Sequence, residues 1–194
     1  MNLLSLLPLG KNTLEVMLEI YSAKEDYLRN IEKKTKINPS LLHRILKKML
    51  AAKAILLERK GKEVYYTLSW EDYSFWKFVL ERYHRDKVIV THDSISTLFK
   101  LLLENKEILK ECQHLFLFGS FVEGKINTES DIDLLFVARH KDKIIKWCRE
   151  VSIIVQRDIN PVIYTPVAYK RDLNKKEAFL NSVVMNIKNR VILK

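Results

Sequence analysis

Two short motifs in the C-terminal half of the sequence combine residue types that handle phosphates and metal ions. Gly119-Ser120 follows an apolar run, and after ten intervening residues Asp131-Ile132-Asp133 opens a second apolar run. In a strand, residues two apart point to the same face, so the two carboxylates project together. Neighbouring carboxylates repel each other unless a cation lies between them. Because Mg²⁺ is held by one or two carboxylates, water and substrate phosphates, the pair predicts a magnesium site.

The Gly119-Ser120 step predicts a phosphate contact beside this metal site. Glycine lets a backbone approach a phosphate closely, and free N–H groups at the start of a helix favour an anion. The Ser120 hydroxyl adds a hydrogen-bond donor. The two motifs together therefore predict binding of Mg²⁺ with ATP or another nucleoside triphosphate.

The complete pattern resembles the signature of the DNA polymerase β-like nucleotidyltransferase superfamily. It is most similar to the minimal branch, in which a second Gly follows the Gly-Ser pair and a Ser precedes the first Asp. Gly124 and Ser130 occupy those places, and the resemblance covers about residues 93–194. It implies two-metal phosphoryl transfer. The resemblance implies that the nucleotide is bound by Gly119, Ser120, Gly124 and Ser130. It implies that Asp131 and Asp133 bind the metal and are the catalytic residues.

A third carboxylate from a neighbouring strand normally completes the site of this family, and here the sequence departs from that pattern. On the candidate strand, Asp158 and Asn160 share one face. Asp158 would supply a third catalytic carboxylate, as a metal ligand or a base. Asn160 would offer a carbonyl oxygen to the metal but could not take a proton. Ile159-Asn160-Pro161 is similar to a branch of winged-helix-fused relatives with Asn near this place, and the sequence leaves both assignments open.

The elements around these motifs alternate, which predicts an α/β (α+β) architecture with a small mixed sheet and flanking helices. The predicted strands are 115–118, 131–138, 157–165 and 188–193. The predicted helices are 93–110, 141–151 and 166–185. Residues 71–92 are expected to form a helical linker or dimerisation segment with a break near 87–91. Its apolar stripe consists of Tyr73, Trp76, Leu80 and Tyr83. The predicted domains are therefore 1–70, 71–92 and 93–194.

The N-terminal domain shows three helical patterns followed by a basic hairpin. The predicted helices are 13–22, 23–34 and 39–52, and the predicted strands are 55–58 and 63–68. Ser22 and Glu25 form a capping-box pattern for the second helix, and Asn38-Pro39 begins the third. The Lys60-Gly61 step suits a tight turn. This order resembles a winged helix-turn-helix domain over about residues 10–69.

Positive charge is concentrated in the same domain. The chain has a formal net charge of +10, and residues 36–62 hold eight basic residues against Glu58 alone. The resemblance implies that the third helix enters the major groove of duplex DNA and that the hairpin touches the backbone. By this resemblance, the residues that contact DNA bases would be Ser40, His43, Arg44 and Lys47. The residues that contact backbone phosphates would be Lys48, Arg59, Lys60 and Lys62. A winged helix used for dimerisation or protein docking is the alternative.

Partners and location follow from length and composition. No stretch approaches a transmembrane helix, residues 1–7 lack the basic start of a signal peptide, and Cys112 and Cys148 lie far apart. These features predict a cytoplasmic protein with reduced thiols and no membrane partner. We also expect a homodimer.

The function expected from the sequence is nucleotidyl transfer to a macromolecular acceptor. Only about thirty residues follow the metal strands, which leaves no room for a separate acceptor domain. The family resemblance implies a HEPN-type partner protein, to whose Tyr the protein would transfer AMP as the antitoxin of a toxin–antitoxin pair. One alternative is a DNA-binding regulator that senses nucleotide without turnover. Another is a pure interaction module whose basic segment binds an acidic protein.

Overall fold

In the computed structural model, residues 10–69 and 73–194 are described, apart from the side chain of Tyr73. The predictions for residues 1–7 and for the Tyr73 side chain therefore lie outside the described residues. The chain divides into two compact units, Met1–Tyr83 and His84–Lys194. The division falls within the segment 71–92 that the sequence assigns to a linker. No helix of the described segments is both long and apolar enough to cross a membrane.

The first unit has the winged-helix order of elements. These are α1 (Lys11–Ala23), β1 (Glu25–Tyr27), α2 (Leu28–Thr35), α3 (Pro39–Ala51), β2 (Ile55–Lys60) and β3 (Glu63–Leu68). The strands form an antiparallel sheet in the order β1-β3-β2. As predicted, Asn38 caps α3 by accepting a hydrogen bond from the Ser40 backbone, and Pro39 follows it. The buried face of α3 consists of Leu42, Ile45, Leu46 and Met49.

The capping box predicted at Ser22 and Glu25 is wrong. Residues 25–27 form strand β1, which pairs with β3, and α2 begins only at Leu28. The rings of Tyr27 and Tyr65 lie opposite each other in this pairing, with their centroids 5.6 Å apart. Pairing with a distant strand thus outweighs a local capping pattern, because it satisfies a row of backbone groups and buries aromatic surface.

The second unit contains a four-stranded mixed sheet flanked by helices, which confirms the predicted fold class. Helix α4 (Tyr73–Thr91) crosses the division between the two units. The elements that follow it are α5 (Asp93–Glu104), α6 (Lys106–Glu111), β4 (Cys112–Phe118), α7 (Ser120–Glu123), β5 (Ile132–Ala138), α8 (Lys141–Val155), β6 (Ile159–Tyr164), α9 (Pro166–Asn174), α10 (Ala178–Met185) and β7 (Arg190–Ile192). The order is β6-β5-β4-β7, with β5 and β6 parallel and the other pairs antiparallel.

Three predicted helix boundaries need correction. The break expected near 87–91 falls at His92, because α4 continues to Thr91. The helix predicted over 93–110 is divided at Asn105, whose side chain accepts a hydrogen bond from the Ile108 backbone and starts α6. The helix predicted over 166–185 is divided in the same way, since Glu177 caps α10. Internal capping residues start new helices that apolar spacing alone does not separate.

The sheet of the second unit is covered on both faces. One core joins α5 and α8 to residues such as Leu134 and Phe136 of β5. The other core joins α9 and α10 to Leu135 and Val137. Since side chains alternate along a strand, Asp133 shares the face of Leu135 and Val137 and lies near the start of β5.

Candidate active site

Strand register brings the two sequence motifs to one edge of the sheet. Asp133 lies opposite Phe118, the last residue of β4, and opposite Asn160 of β6. Gly119-Ser120 follows Phe118 directly, so the turn after β4 lies beside the start of β5. The Gly-Ser step and the aspartate pair are therefore neighbours in space, as the motif predicted.

Gly119 is in contact with the Asp133 carboxylate. Its φ is +74°, and a Cβ atom added there would lie 2.2 Å from Oδ2 of Asp133. Both the backbone conformation and the space require glycine at this position. The absence of a side chain is thus what lets the turn and the carboxylate approach each other.

Asp131, Asp133 and Asn160 form a polar cluster. The Asn160 amide Nδ2 donates a 2.9 Å hydrogen bond to Oδ2 of Asp131. The pKa of Asp133 is raised above the ordinary aspartate value, first by burial and also by the charge of Asp131, while hydrogen bonding from Asn160 acts in the opposite direction. The negative charge of Asp133 is therefore poorly stabilised by the protein alone.

Asp158 occupies a different position from Asn160. Its backbone carbonyl accepts a 2.8 Å hydrogen bond from the Ile132 N–H, while the residue itself is exposed. Within the described segments, no hydrogen bond joins its side chain to Asp131 or Asp133. It lines, with Asp131, a cleft of about 410 Å³ between α8 and β6. Of the two alternatives left open by the sequence, Asn160 is the residue that contacts the aspartate pair.

Gly124 and Ser130 shape the chain between the two motifs. Gly124 ends α7 with a φ of +71°, and a Cβ atom there would meet nothing within 4 Å. The Ser130 hydroxyl accepts a hydrogen bond from the Asn127 backbone and donates one to the Asn127 side chain. Their predicted contact with nucleotide stays a prediction, since both residues already have a role in the loop.

Arg157 is a residue of this site that the sequence did not reveal. Its Nη1 donates hydrogen bonds to the carbonyls of Asn127, Thr128 and Ser130 at 3.2, 2.8 and 3.1 Å. The guanidinium thus holds the loop that leads into Asp131. A lone arginine beside a strand carries no sequence pattern that could have indicated this contact.

The donor set fits a divalent cation of the magnesium type. Two carboxylates and an amide oxygen are hard ligands, and a bound cation would offset the charge of the partly buried Asp133. Among residues 10–69 and 73–194, no group of three or more His, Cys, Asp or Glu side chains could hold a metal. A cation would therefore depend on water and substrate phosphate for the rest of its ligands.

The residues assigned to DNA in the first unit are all on the surface. Exposed side chains on α3 are Ser40, His43, Arg44, Lys47 and Lys48. On the β2–β3 hairpin they are Arg59, Lys60 and Lys62. Lys60 differs from the others, because its ammonium pairs with Glu25 and lies 5.2 Å from the centroid of the Tyr65 ring. The side chain of Lys60 is therefore held against the sheet.

The second half of the chain is similar to a known protein family. Residues 96–188 match the family described as polymerase beta, nucleotidyltransferase. The matched segment resembles a nucleotidyltransferase domain. It includes Gly119, Asp131, Asp133 and Asn160, and the resemblance predicted from the sequence is confirmed. A search of curated proteins found no significant match.

Several solved structures are similar to parts of this chain. A protein from Archaeoglobus fulgidus is 24% identical, over 37% of this chain and 84% of that chain, with a TM-score of 0.33. A homodimeric winged helix-turn-helix DNA-binding domain from Mycobacterium bovis, a possible ArsR-family regulator, is 18% identical over 36% and 65%, with a TM-score of 0.33. A toxin-antitoxin structure with AMP-PNP is 21% identical over 51% and 71%, with a TM-score of 0.36.

Proposed function

We propose that the protein is a Mg²⁺-dependent nucleotidyltransferase that transfers AMP from ATP to a macromolecular acceptor. The observation that carries the proposal is the contact of Gly119 with the Asp133 carboxylate, beside Asp131 and Asn160. In this proposal the turn after β4 binds the triphosphate, and a cation lies between the two carboxylates. The family match of residues 96–188 supports the same reaction class.

The reaction is a displacement at the α-phosphorus of ATP. An acceptor hydroxyl oxygen forms a new bond to that phosphorus, the bond to the β-phosphate oxygen breaks, and pyrophosphate leaves. When bound, Mg²⁺ would polarise the phosphate and offset the charge that develops on the leaving group. Asp131, Asp133 and the amide oxygen of Asn160 would hold it. Because Asn160 cannot accept a proton, the proton of the acceptor passes to an aspartate or to water.

The acceptor reaches the site along the cleft between α8 and β6. This cleft borders Asp131 and is lined by the oppositely charged Arg149 and Asp158 and by the apolar Ile145 and Pro161. Such a mixed surface suits a protein segment carrying a hydroxyl better than a polyanion, because Asp131 and Asp158 would repel phosphates. A HEPN-type partner protein with an acceptor Tyr is the candidate implied by the family resemblance.

The winged helix binds duplex DNA in this proposal, and two copies of the chain form a homodimer. Eight exposed polar and basic residues on α3 and the hairpin support the DNA contact. Phe75 and Phe78 on α4 are 40% and 62% exposed, and burial of such rings supports association of two copies. The protein would thus join DNA binding to nucleotidyl transfer.

Nucleotide binding tests the proposal directly. The double variant Asp131→Asn with Asp133→Asn should lose Mg²⁺-dependent ATP binding in calorimetry while remaining folded, because it removes repulsion as well as ligands. Asp142→Asn, an exposed change on α8, is the matched control and should bind like the wild type. Equal affinity in the double variant would show that the site is elsewhere. Incubation with labelled ATP, CTP, GTP and UTP and with the neighbouring-gene product then tests transfer.

The amide at position 160 supports a second candidate function, nucleotide sensing without turnover. A nucleotide-sensing regulator needs the binding site but not turnover, and the residue beside Asp131 and Asp133 is an amide instead of a third carboxylate. In that case the wild-type protein would bind Mg·ATP and change its DNA affinity without releasing pyrophosphate. Measurement of pyrophosphate release in the presence of the partner protein separates the two functions.

A further inference from the structure

Two aromatic rings lie beside the carboxylate of Asp133. Phe118 is the last residue of β4 and lies opposite Asp133 in the antiparallel register, so both side chains project from the same face of the sheet. The ring of Phe179, on α10, contacts the ring of Phe118, with the centroids 5.5 Å apart and the planes at 75°. The Phe118–Phe179 pair therefore borders the polar cluster of the candidate active site.

Both rings of the Phe118–Phe179 pair are only partly buried. They pack against the core that joins α9 and α10 to β5, and each residue keeps part of its surface exposed to solvent. In an edge-to-face contact, the edge of one ring covers one face of the other, so the pair itself leaves the remaining ring faces uncovered. Partly exposed aromatic surface next to polar groups suits a ligand that carries both an aromatic ring and charge.

Hydrogen bonds hold the backbone of Phe179 at the start of α10. The Glu177 carboxylate accepts hydrogen bonds from the backbone N–H groups of Phe179 and Leu180 at 3.1 and 2.8 Å. The Ser182 hydroxyl donates a 2.8 Å hydrogen bond to the Phe179 carbonyl, and the Ser182 carbonyl accepts one from the Asn189 side chain just before β7. Because this helix start is fixed at both sides, its aromatic ring loses little freedom when a ligand binds.

The groups next to the Phe118–Phe179 pair determine which ligand suits it. In the proposed function, the triphosphate binds at Gly119 and the cation at the aspartate pair, and both lie directly beside Phe118. In a nucleoside triphosphate, only the ribose separates the base from the phosphates, so a nucleotide bound at the turn can bring its base to the neighbouring rings. Every nucleobase has a π face that stacks on aromatic side chains.

We propose that the Phe118–Phe179 pair is the platform on which the base of the nucleotide stacks. The inference rests on the proposed function, because it places the base of the same nucleotide whose triphosphate binds at Gly119-Ser120. Phe179 supplies the ring that lies outside the sequence motif. Since stacking depends on ring area and not on the hydrogen-bonding edge of the base, purine nucleotides bind more tightly than pyrimidine nucleotides.

Comparison of Mg·ATP with magnesium tripolyphosphate tests this assignment in the full chain. Tripolyphosphate has the phosphates of ATP but no base, so it reports on the triphosphate site alone. In calorimetry, Phe179→Leu should weaken Mg·ATP binding about tenfold and leave tripolyphosphate binding unchanged. Phe179→Tyr keeps the ring and should bind both ligands like the wild type. Val184→Ala shortens another partly buried side chain of α10 on the same core, and as the control it should bind Mg·ATP like the wild type.

The same titrations separate failure of the platform from failure of the proposed function. The wild type should bind ATP and GTP more tightly than CTP and UTP, and Phe179→Leu should reduce this difference. If the wild type binds neither Mg·ATP nor tripolyphosphate, the proposed function is refuted and the platform with it. If tripolyphosphate binds but Phe179→Leu keeps the wild-type affinity for Mg·ATP, or weakens both ligands equally, the stacking platform alone is overturned.

Discussion

At the scale of single residues, the identity of residue 160 determines how many negative charges the site contains. Asn160 donates a hydrogen bond to Asp131 and lies opposite Asp133, so it reduces the repulsion between two carboxylates without adding a third. The folded protein is stabilised by this choice when no cation is present. The same choice leaves the cation with fewer charged ligands.

Replacing Asn160 by Asp should therefore lower the stability of the metal-free protein and raise its affinity for Mg²⁺. Asn160→Asp should lower the melting temperature without Mg²⁺, raise it more steeply as Mg²⁺ is added, and increase nucleotidyl transfer. Asp158→Ala is the comparison variant and should leave transfer nearly unchanged, since no hydrogen bond links Asp158 to the pair in the described segments. Loss of transfer in Asp158→Ala with no gain in Asn160→Asp would assign the third position to Asp158. Thermal unfolding and pyrophosphate release measure both effects.

Gly119 and Gly124 form a matched pair for testing the contact with Asp133. Both have a positive φ, but only a Cβ atom at Gly119 would collide with the Asp133 carboxylate. Gly124→Ala should cost about 1–2 kcal/mol of stability from its left-handed backbone. Gly119→Ala should cost more, because its ψ of −151° at positive φ is a conformation that essentially only glycine adopts. Only Gly119→Ala should also abolish Mg·ATP binding in calorimetry. Equal loss of binding in both variants would mean that backbone strain, and not the carboxylate contact, controls the site.

The sequence predicted the polar residues of this site better than it predicted the contacts that position them. Gly119, Asp131 and Asp133 belong to a motif whose spacing places them at one sheet edge, and the structure confirms that they meet there. The alternatives at 158 and 160 share a strand face, so only the register of β6 against β5 separates them. Arg157 acts on carbonyls thirty residues away, and such contacts leave no local pattern.

At the scale of elements, Glu111 links α6 to the start of α8. Its carboxylate accepts hydrogen bonds from the backbone N–H groups of Arg139 and His140 and contacts the His140 ring. These bonds lie where α8 begins, and α8 forms one wall of the cleft that borders Asp131. A carboxylate at this position satisfies free donors and complements the helix dipole.

Stability should depend on pH through Glu111. Hydrogen bonding from the His140 side chain, followed by that from the His140 backbone, lowers the pKa of Glu111 below the ordinary value of 4.5. Its contribution is therefore present above the ordinary pKa and is lost as the pH falls through the lowered one. Glu111→Gln should cost about 1 kcal/mol at neutral pH, and the difference from wild type should shrink in acid. Urea unfolding across this pH range measures it.

The exposed Glu104→Gln serves as the control for this prediction, since it changes the same charge in the same unit. It should leave both the stability and its pH dependence close to wild type. A difference for Glu111→Gln that persists unchanged below the ordinary glutamate pKa would assign its effect to packing instead of charge.

Element types were largely predictable, whereas element boundaries were not. Apolar spacing identified α3, β4, β5 and α8, because each buries one regular face. It missed β1, which exists through pairing with β3, and it joined α9 to α10 across the cap at Glu177. Tertiary pairing and side-chain caps set these limits, and neither changes the apolar period.

At the scale of the whole molecule, charge is distributed unevenly. The chain carries a formal net charge of +10, and the basic excess is concentrated in 36–62 of the first unit. In contrast, the candidate active site of the second unit is built around the carboxylates of Asp131 and Asp133. The first unit therefore attracts polyanions, whereas in the proposed function the second unit would need a bound cation before it accepts a triphosphate.

This distribution predicts how the hairpin contributes to DNA binding. Arg59 and Lys62 are exposed, whereas Lys60 is paired with Glu25 and gains little from a phosphate. Arg59→Ala and Lys62→Ala should each reduce the salt slope of duplex binding by about 0.9, the value for one phosphate contact. The double variant Glu25→Gln with Lys60→Ala keeps the net charge and should retain the wild-type slope. Gel-shift titrations over a range of salt concentrations measure these slopes. If the paired variant flattens the slope as much as Arg59→Ala does, Lys60 leaves Glu25 when DNA binds, and the wing contacts the backbone through all three residues.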